Sequence, residues 1–213
     1  SHMRTYYNNH NIALIEEGVP VLVTEVMSIA QAVYSWNLYD RVSKKTGSHP
    51  AYFVTHITGI FDEYLKDYAA SVNAIVDETK LDEAGTIVAM KQYELYRDHG
   101  FTGPMLGGGA RSPKHFLNMV GMEMDVTINW NMAEAIRDNF AASDLKPTIR
   151  SSAQTIGHLV ESLPDFRKAY DQHGLALDEF EDYGPVQRFR NAFLRGWKDF
   201  ENAIEDRRKA LGA

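Results

Sequence analysis

The sequence contains no cysteine among its 213 residues. This absence excludes disulfide bonds, thiolate nucleophiles and zinc sites built on cysteine. A chain of this length can bury a core that folds without such cross-links. The sequence also lacks any apolar run near the ~20 residues that cross a bilayer, and it shows no signal-peptide pattern. We therefore expect a cytoplasmic protein that makes no membrane contact.

Basic residues are outnumbered, with 22 lysines and arginines against 29 acidic residues and a net charge of -7. The basic residues are scattered, and a net negative charge repels a phosphate backbone, so nucleic acid is not an expected partner. The 8 histidines show no i, i+4 pair or carboxylate spacing that is typical of a metal site. We expect no metal and no cofactor.

Four β-rich segments alternate with helical patterns in the first two thirds of the chain. They span 19–27, 51–58, 101–106 and 124–130. Tight hairpin signals are missing, and each connection is long enough to hold a crossover helix. This alternation predicts an α/β fold with a parallel sheet and right-handed crossovers.

Beyond residue 145 the strand signal stops and helical patterns continue to the end. These patterns cover 149–163, 165–170, 175–180 and 185–211. In the last helix the apolar residues recur at spacings of 3, 4, 4, 3 and 4, which places them on one face: Val186, Phe189, Phe193, Trp197, Phe200 and Ile204. We expect this face to pack on another surface. Residues 1–3 (SHM) are typical of an expression-vector remnant, so the domain prediction leaves them out. We predict an α/β region at 4–145 and a helical extension at 146–213 packed on it.

Several strand ends resemble the transaldolase family. Residues 24–33 read TEVMSIAQAV, similar to the passage from that family's fifth barrel strand into its helix. Residues 54–64 (VTHITGIFDEY), 106–111 (LGGGAR) and 125–130 (DVTINW) resemble the next three strands in order and spacing. The sixth-strand match departs at Thr55, where the family has serine, and at Ile60, where it has a phosphate-binding arginine.

The resemblance implies a partial (β/α) barrel of the transaldolase type, with a C-terminal all-helical extension. In the family, the first four strands carry the acidic proton-transfer residues and the lysine that forms a Schiff base with the substrate ketone. The implied function is a transaldolase-like sugar-phosphate transferase or aldolase that is catalytically incomplete in this chain. The alternative is a non-catalytic subunit that binds a sugar phosphate or serves in assembly. A four-stranded fragment has two open edges, so we expect a homodimer or a separate N-terminal half to complete it.

Four residues at strand ends are candidates for chemistry, since barrel sites collect at the carboxyl ends of strands. Thr24 and Thr55 match family hydroxyls that place water and substrate, although both are also ordinary strand residues. Glu25 is either a general base or the partner of Arg111 in an ion pair. His56 is either an acid-base group or a hydrogen-bonded structural histidine. A third hypothesis pairs Glu25 with His56 in an enzyme that needs no imine.

Arg111 is the main candidate for phosphate binding, because a guanidinium binds phosphate through two parallel hydrogen bonds. It follows three glycines, of which Gly108 and Gly109 can bring backbone N–H groups close to an anion. The same glycines can simply form a tight turn. Ser28, directly after its strand, and Asn129, at the carboxyl end of its strand, complete the predicted binding set.

Overall fold

The computed structural model describes residues 2–101, 104–145 and 151–212. Its sheet has four parallel strands in the order β1-β2-β3-β4. The strands are β1 (Val21–Val26), β2 (Tyr52–Ile57), β3 (Met105–Gly108) and β4 (Asp125–Val126). The predicted α/β fold with a parallel sheet is confirmed. The fourth strand is much shorter than predicted, because Asn129 already caps the following helix.

The helices of the α/β region lie between and before the strands. Their bounds are α1 (His2–Glu16), α2 (Ile29–Thr46), α3 (Gly59–Ser71), α4 (Glu78–Leu81), α5 (Ala84–His99), α6 (Pro113–Leu117) and α7 (Trp130–Asn139). The sequence did not predict α1. Within these ranges and the C-terminal helices described below, no helix has the length and apolar content to span a membrane.

The strand order places the main helices on one face of the sheet. When each strand is added beside the last through a right-handed crossover, every crossover lies on the same side, as in a (β/α) barrel. That face is buried, with Val21, Tyr52 and Val54 packed in one cluster with Trp36 of α2. The opposite face is open along β1, where Leu22 is 55% exposed, and is buried along β2 and β3, where Thr55 and Leu106 are at most 6% exposed. The sheet is consistent with a partial barrel whose inner face lacks part of its cover.

The C-terminal region is helical: α8 (Ala153–Ser162), α9 (Pro164–Tyr170) and α10 (Gly184–Ala210), with a 3-10 turn at Leu177–Glu179. Its apolar side chains enter the same core as α3 and α5. Phe166 is fully buried and stacks on Phe61, with ring centroids 6.5 Å apart. Lys91 of α5 donates to the Tyr170 carbonyl oxygen at 2.8 Å. The extension and the sheet therefore share one core.

The long helix α10 is buried only at its beginning. Val186 is 8% exposed and Phe189 packs partly on the core, in accord with the predicted apolar face. The face then continues into solvent, where its larger side chains are 46–65% exposed: Phe193, Trp197, Phe200 and Ile204. The second half of this predicted face is therefore largely exposed instead of packed in the core.

Candidate functional site

The carboxyl ends of the strands form one edge of the sheet, as expected for parallel strands. Thr55 and Gly108 lie on the inner face there, since a Cβ added to Gly108 would lie 3.2 Å from Thr55 Cγ2. Alternation along β1 places Thr24 on the same face as Leu22, and Thr24 is exposed. Thr55 is 4% exposed, and its Oγ1 has no hydrogen-bond partner. The structure thus brings two of the predicted hydroxyls to one face and leaves Thr55 with an unused polar atom.

His56 lies on the opposite face of β2, toward the helices. Its Nδ1 lies 3.0 Å from Gln92 Oε1 and its Nε2 lies 2.9 Å from the Gly85 carbonyl oxygen, both in α5. Complete burial lowers the pKa of His56 to about 4, despite these two contacts. These contacts favour the interpretation of His56 as a structural histidine over a catalytic role.

The hydrogen bonds of His56 decide the orientation of the Gln92 amide. With Gln92 Oε1 toward the ring, both ring nitrogens of His56 face acceptor oxygens, while Gln92 Nε2 is buried without a partner. Exchanging the two amide atoms lets Gln92 donate to Nδ1 while Nε2–H donates to the Gly85 carbonyl. A neutral imidazole then satisfies both partners.

Glu25 has a strained backbone conformation, which the sequence did not predict. Its φ is 61°, in the left-handed region that non-glycine residues seldom occupy, and the pairing of β1 with β2 is irregular between Val23 and Val26. Burial raises the pKa of the Glu25 carboxyl, and nearby Arg190 opposes the shift. Strain of this kind clusters at functional sites, which keeps Glu25 a candidate.

The ion pair considered between Glu25 and Arg111 is not formed. Arg111 Nε instead donates to Glu63 Oε1 at 3.1 Å, and its Nη1 donates to the Ala110 carbonyl at 3.3 Å. Both the Arg111 and Glu63 side chains are nearly half exposed. The guanidinium is therefore held at the surface with Nη2 still free to donate to a ligand.

The backbone around Arg111 is held by close packing against the start of α3. A Cβ added to Gly59 would lie 2.6 Å from Arg111 N, so only glycine permits this approach. Gly109 has a φ of 65°, and a Cβ there would lie 2.6 Å from Ile57 Cγ2. The Gly108 carbonyl accepts from the backbone N–H and the hydroxyl of Thr58. These contacts favour the tight-turn interpretation of Gly108 and Gly109, and α6 is too short at five residues to add a helix dipole.

A buried pair that the sequence did not predict supports the same loop. Arg111 N–H donates to His115 Nδ1 at 3.0 Å, and His115 Nε2 lies 3.0 Å from Asp62 Oδ2. The other Asp62 oxygen accepts from Gly85 N–H at 2.6 Å. Burial raises the pKa of Asp62, while His115 opposes the shift. Asp62 therefore connects α3, α5 and the Arg111 loop.

The last two candidates serve as helix caps. Ser28 is fully buried and its Oγ accepts from Gln31 N–H at 3.2 Å at the start of α2. Asn129 is exposed, and its Oδ1 accepts from Met132 N–H at 2.8 Å at the start of α7. Ser28 follows its strand as predicted, whereas Asn129 was predicted within the fourth strand and instead caps α7. Both side chains have a structural explanation.

A groove of about 850 Å³ lies beside Arg111, between the start of α3 and the exposed part of α10. Its lining includes Ile60, Glu63 and Arg111 on one side and Arg188, Arg195 and Trp197 of α10 on the other. The described residues include no cluster of three or more histidines and carboxylates that could hold a metal ion. Because arginines and aromatic residues line it, the groove offers guanidinium groups and aromatic rings, which suit an anionic organic ligand.

The sequence is distantly similar to a known protein. A transaldolase from Shewanella baltica (strain OS195) is 25% identical over 173 residues, which cover 79% of this chain and 48% of the relative. No family model matches the sequence. The chain thus spans about half the length of the curated relative that it matches. The parallel sheet and the strand-end segments agree with this distant similarity to a transaldolase.

Proposed function

We propose that this chain supplies the phosphate-binding part of a transaldolase-like sugar-phosphate site that acts in carbohydrate metabolism. The observation that carries the proposal is the fixed position of Arg111 at the carboxyl edge of the sheet, beside an open groove. The guanidinium lines the groove and keeps a free Nη2 for a ligand. An arginine next to a polar sheet edge is suited to a phosphorylated substrate.

The chain is catalytically incomplete in this proposal. A Schiff-base mechanism needs a lysine amine at the substrate carbonyl, and barrel enzymes place such groups at strand ends. In the described ranges every lysine lies on a helix: Lys44, Lys45, Lys66, Lys80, Lys91, Lys114, Lys168, Lys198 and Lys209. Lys146 is outside those ranges. The nucleophile would come from strands that this chain does not supply.

The partner in this proposal is a second copy or a separate N-terminal half that completes the barrel. Both edge strands expose apolar side chains, with Leu22 of β1 at 55% and Val126 of β4 at 43% exposure. Unpaired strand edges, together with the inner face exposed along β1, favour association with further strands. If the chain has a monomeric mass in solution even at high concentration, a second copy of the chain does not complete the barrel.

The test compares fructose 6-phosphate with fructose by isothermal titration calorimetry. We expect the chain to bind the phosphorylated sugar and not the free sugar, and Arg111→Met to weaken binding by about tenfold or more, the effect of a charge-assisted hydrogen bond. Borohydride reduction in the presence of fructose 6-phosphate, measured by intact mass, should give no covalent adduct. A substrate-dependent adduct would contradict incompleteness, and equal affinity for both sugars would contradict the phosphate site.

The second candidate function is a non-catalytic assembly or sugar-phosphate-binding subunit. The exposed aromatic face of α10 favours it, because Phe193 and Trp197 are more than 60% exposed and patches of this kind commonly mark interfaces. Co-expression with the lysine-bearing N-terminal half of a transaldolase separates the two functions. Turnover of fructose 6-phosphate supports the incomplete enzyme, and binding without turnover supports the subunit.

A further inference from the structure

The groove beside Arg111 has a second wall, which comes from the C-terminal helix and not from the sheet. Arg195 lies on this wall, one helical turn from Asn191, which also lines the groove. The opposite wall carries Ile60 and Arg111. The groove therefore brings a cation from residue 195 into the same space as a cation from residue 111.

The arginines that line the groove differ in whether they form ion pairs with carboxylates. Arg188 pairs with Asp67, and Arg111 pairs through Nε with Glu63. Among the described residues, Arg195 has no ion-pair or hydrogen-bond partner. A guanidinium without a carboxylate partner keeps all five of its N–H donors for a ligand.

The remaining lining explains why a second cation is useful there. Ile60 is 7% exposed and cannot donate a hydrogen bond, so the sheet side of the groove offers Arg111 as its cation. Phe193, Trp197 and Phe200 line the α10 side and can pack on the apolar parts of a small organic molecule. A phosphate dianion is held best by two guanidinium groups, each donating to different oxygens.

We propose that Arg195 of α10 binds the phosphate of the ligand together with Arg111, so that the C-terminal helix forms one wall of the binding site. The ligand class is a small phosphate monoester whose carbon skeleton lies against the aromatic residues of α10. This proposal rests on the proposed sugar-phosphate function and adds a binding residue from outside the sheet. Neither cation is removed from another essential contact, since Arg111 binds through its free Nη2 while Nε stays with Glu63.

The experiment measures fructose 6-phosphate affinity of the full chain by calorimetry, with fructose as the unphosphorylated comparison. The variants are Arg195→Met, Arg195→Lys and Arg111→Met. Arg208→Met is the matched control, because Arg208 lies on the same helix, pairs with Glu205 and does not line the groove. Arg195 is exposed, so its replacement should leave the thermal midpoint unchanged.

We expect Arg195→Met to weaken fructose 6-phosphate binding by about tenfold, with Arg195→Lys between it and the wild type, because lysine keeps the charge and loses the planar fork. Arg208→Met should bind as the wild type does. Loss of binding in Arg111→Met with unchanged affinity in Arg195→Met would overturn the role of Arg195 and leave the proposed function standing. A wild-type chain that does not distinguish fructose 6-phosphate from fructose would overturn both.

Discussion

Burial of His56 as a neutral imidazole makes the stability of the protein depend on pH. The ring is completely buried between β2 and α5, and its pKa falls from 6.5 to about 4 in the folded chain. Between these two values the unfolded chain binds a proton that the folded chain does not. Stability is therefore fully present above pH 6.5 and is lost as the pH falls toward 4.

The size of the loss follows from the pKa shift. The full shift from 6.5 to about 4 corresponds to about 3 kcal/mol, at ~1.4 kcal/mol per pH unit. By pH 5 the loss is already about 2 kcal/mol, since the unfolded imidazole is then almost wholly protonated and the folded one is not. For a protein whose whole stability is about 5–15 kcal/mol, this is a large share.

The assay is urea unfolding followed by circular dichroism at pH values from 4 to 8, for the wild type and His56→Gln. His56→Gln should lower stability at neutral pH, yet the difference from the wild type should shrink by about 2 kcal/mol on going from pH 7 to pH 5. The matched control is His173→Gln, an exposed histidine whose replacement should leave the pH profile unchanged. A difference that stays constant with pH, or an NMR titration of His56 near pH 6.5, would refute the reasoning.

Three further substitutions test other parts of the structure. Phe166→Ala should lower the free energy of unfolding by about 3–5 kcal/mol in one cooperative urea transition, because the extension shares the core; a separate, unchanged transition of the sheet would contradict this. Gly59→Ala should displace the Arg111 loop and weaken fructose 6-phosphate binding, while Gly157→Ala, where a Cβ meets nothing within 4 Å, should stabilise α8 by about 0.5–1 kcal/mol. Trp197→Ser should reduce any self-association measured by sedimentation; an unchanged mass distribution would exclude this face from the contact.

The sequence predicted the sheet well because buried parallel strands leave a strong local pattern. The predictions at 19–27 and 51–58 contain β1 and β2, and the observed strand ends lie within two residues of the predicted ends. The predictions at 101–106 and 124–130 were less accurate, since β3 is Met105–Gly108 and since Asn129 and Trp130 belong to a helix start. Short edge strands have few apolar residues, so their ends are set by the neighbouring strand and cap.

The candidate site was predicted less completely than the fold. The sequence placed Thr55 and His56 at the same strand end, and strand alternation sends them to opposite faces. It gave no signal for His115, whose contact with Asp62 spans 53 positions and exists only when α3 and α6 meet. The Glu25–Arg111 pair failed for the same reason, because Glu63 lies closer to the guanidinium.

The sequence by itself determined the parallel α/β architecture, the amphipathic α10 and the similarity of the strand ends to transaldolases. These features depend on residue order and spacing along single segments, which the chain displays directly. Only the tertiary structure decided which side chains meet: His56 with α5, His115 with Asp62, and Arg195 with the groove of Arg111. Such contacts join residues far apart in sequence, so their distances and charges are set by how the helices pack on the sheet.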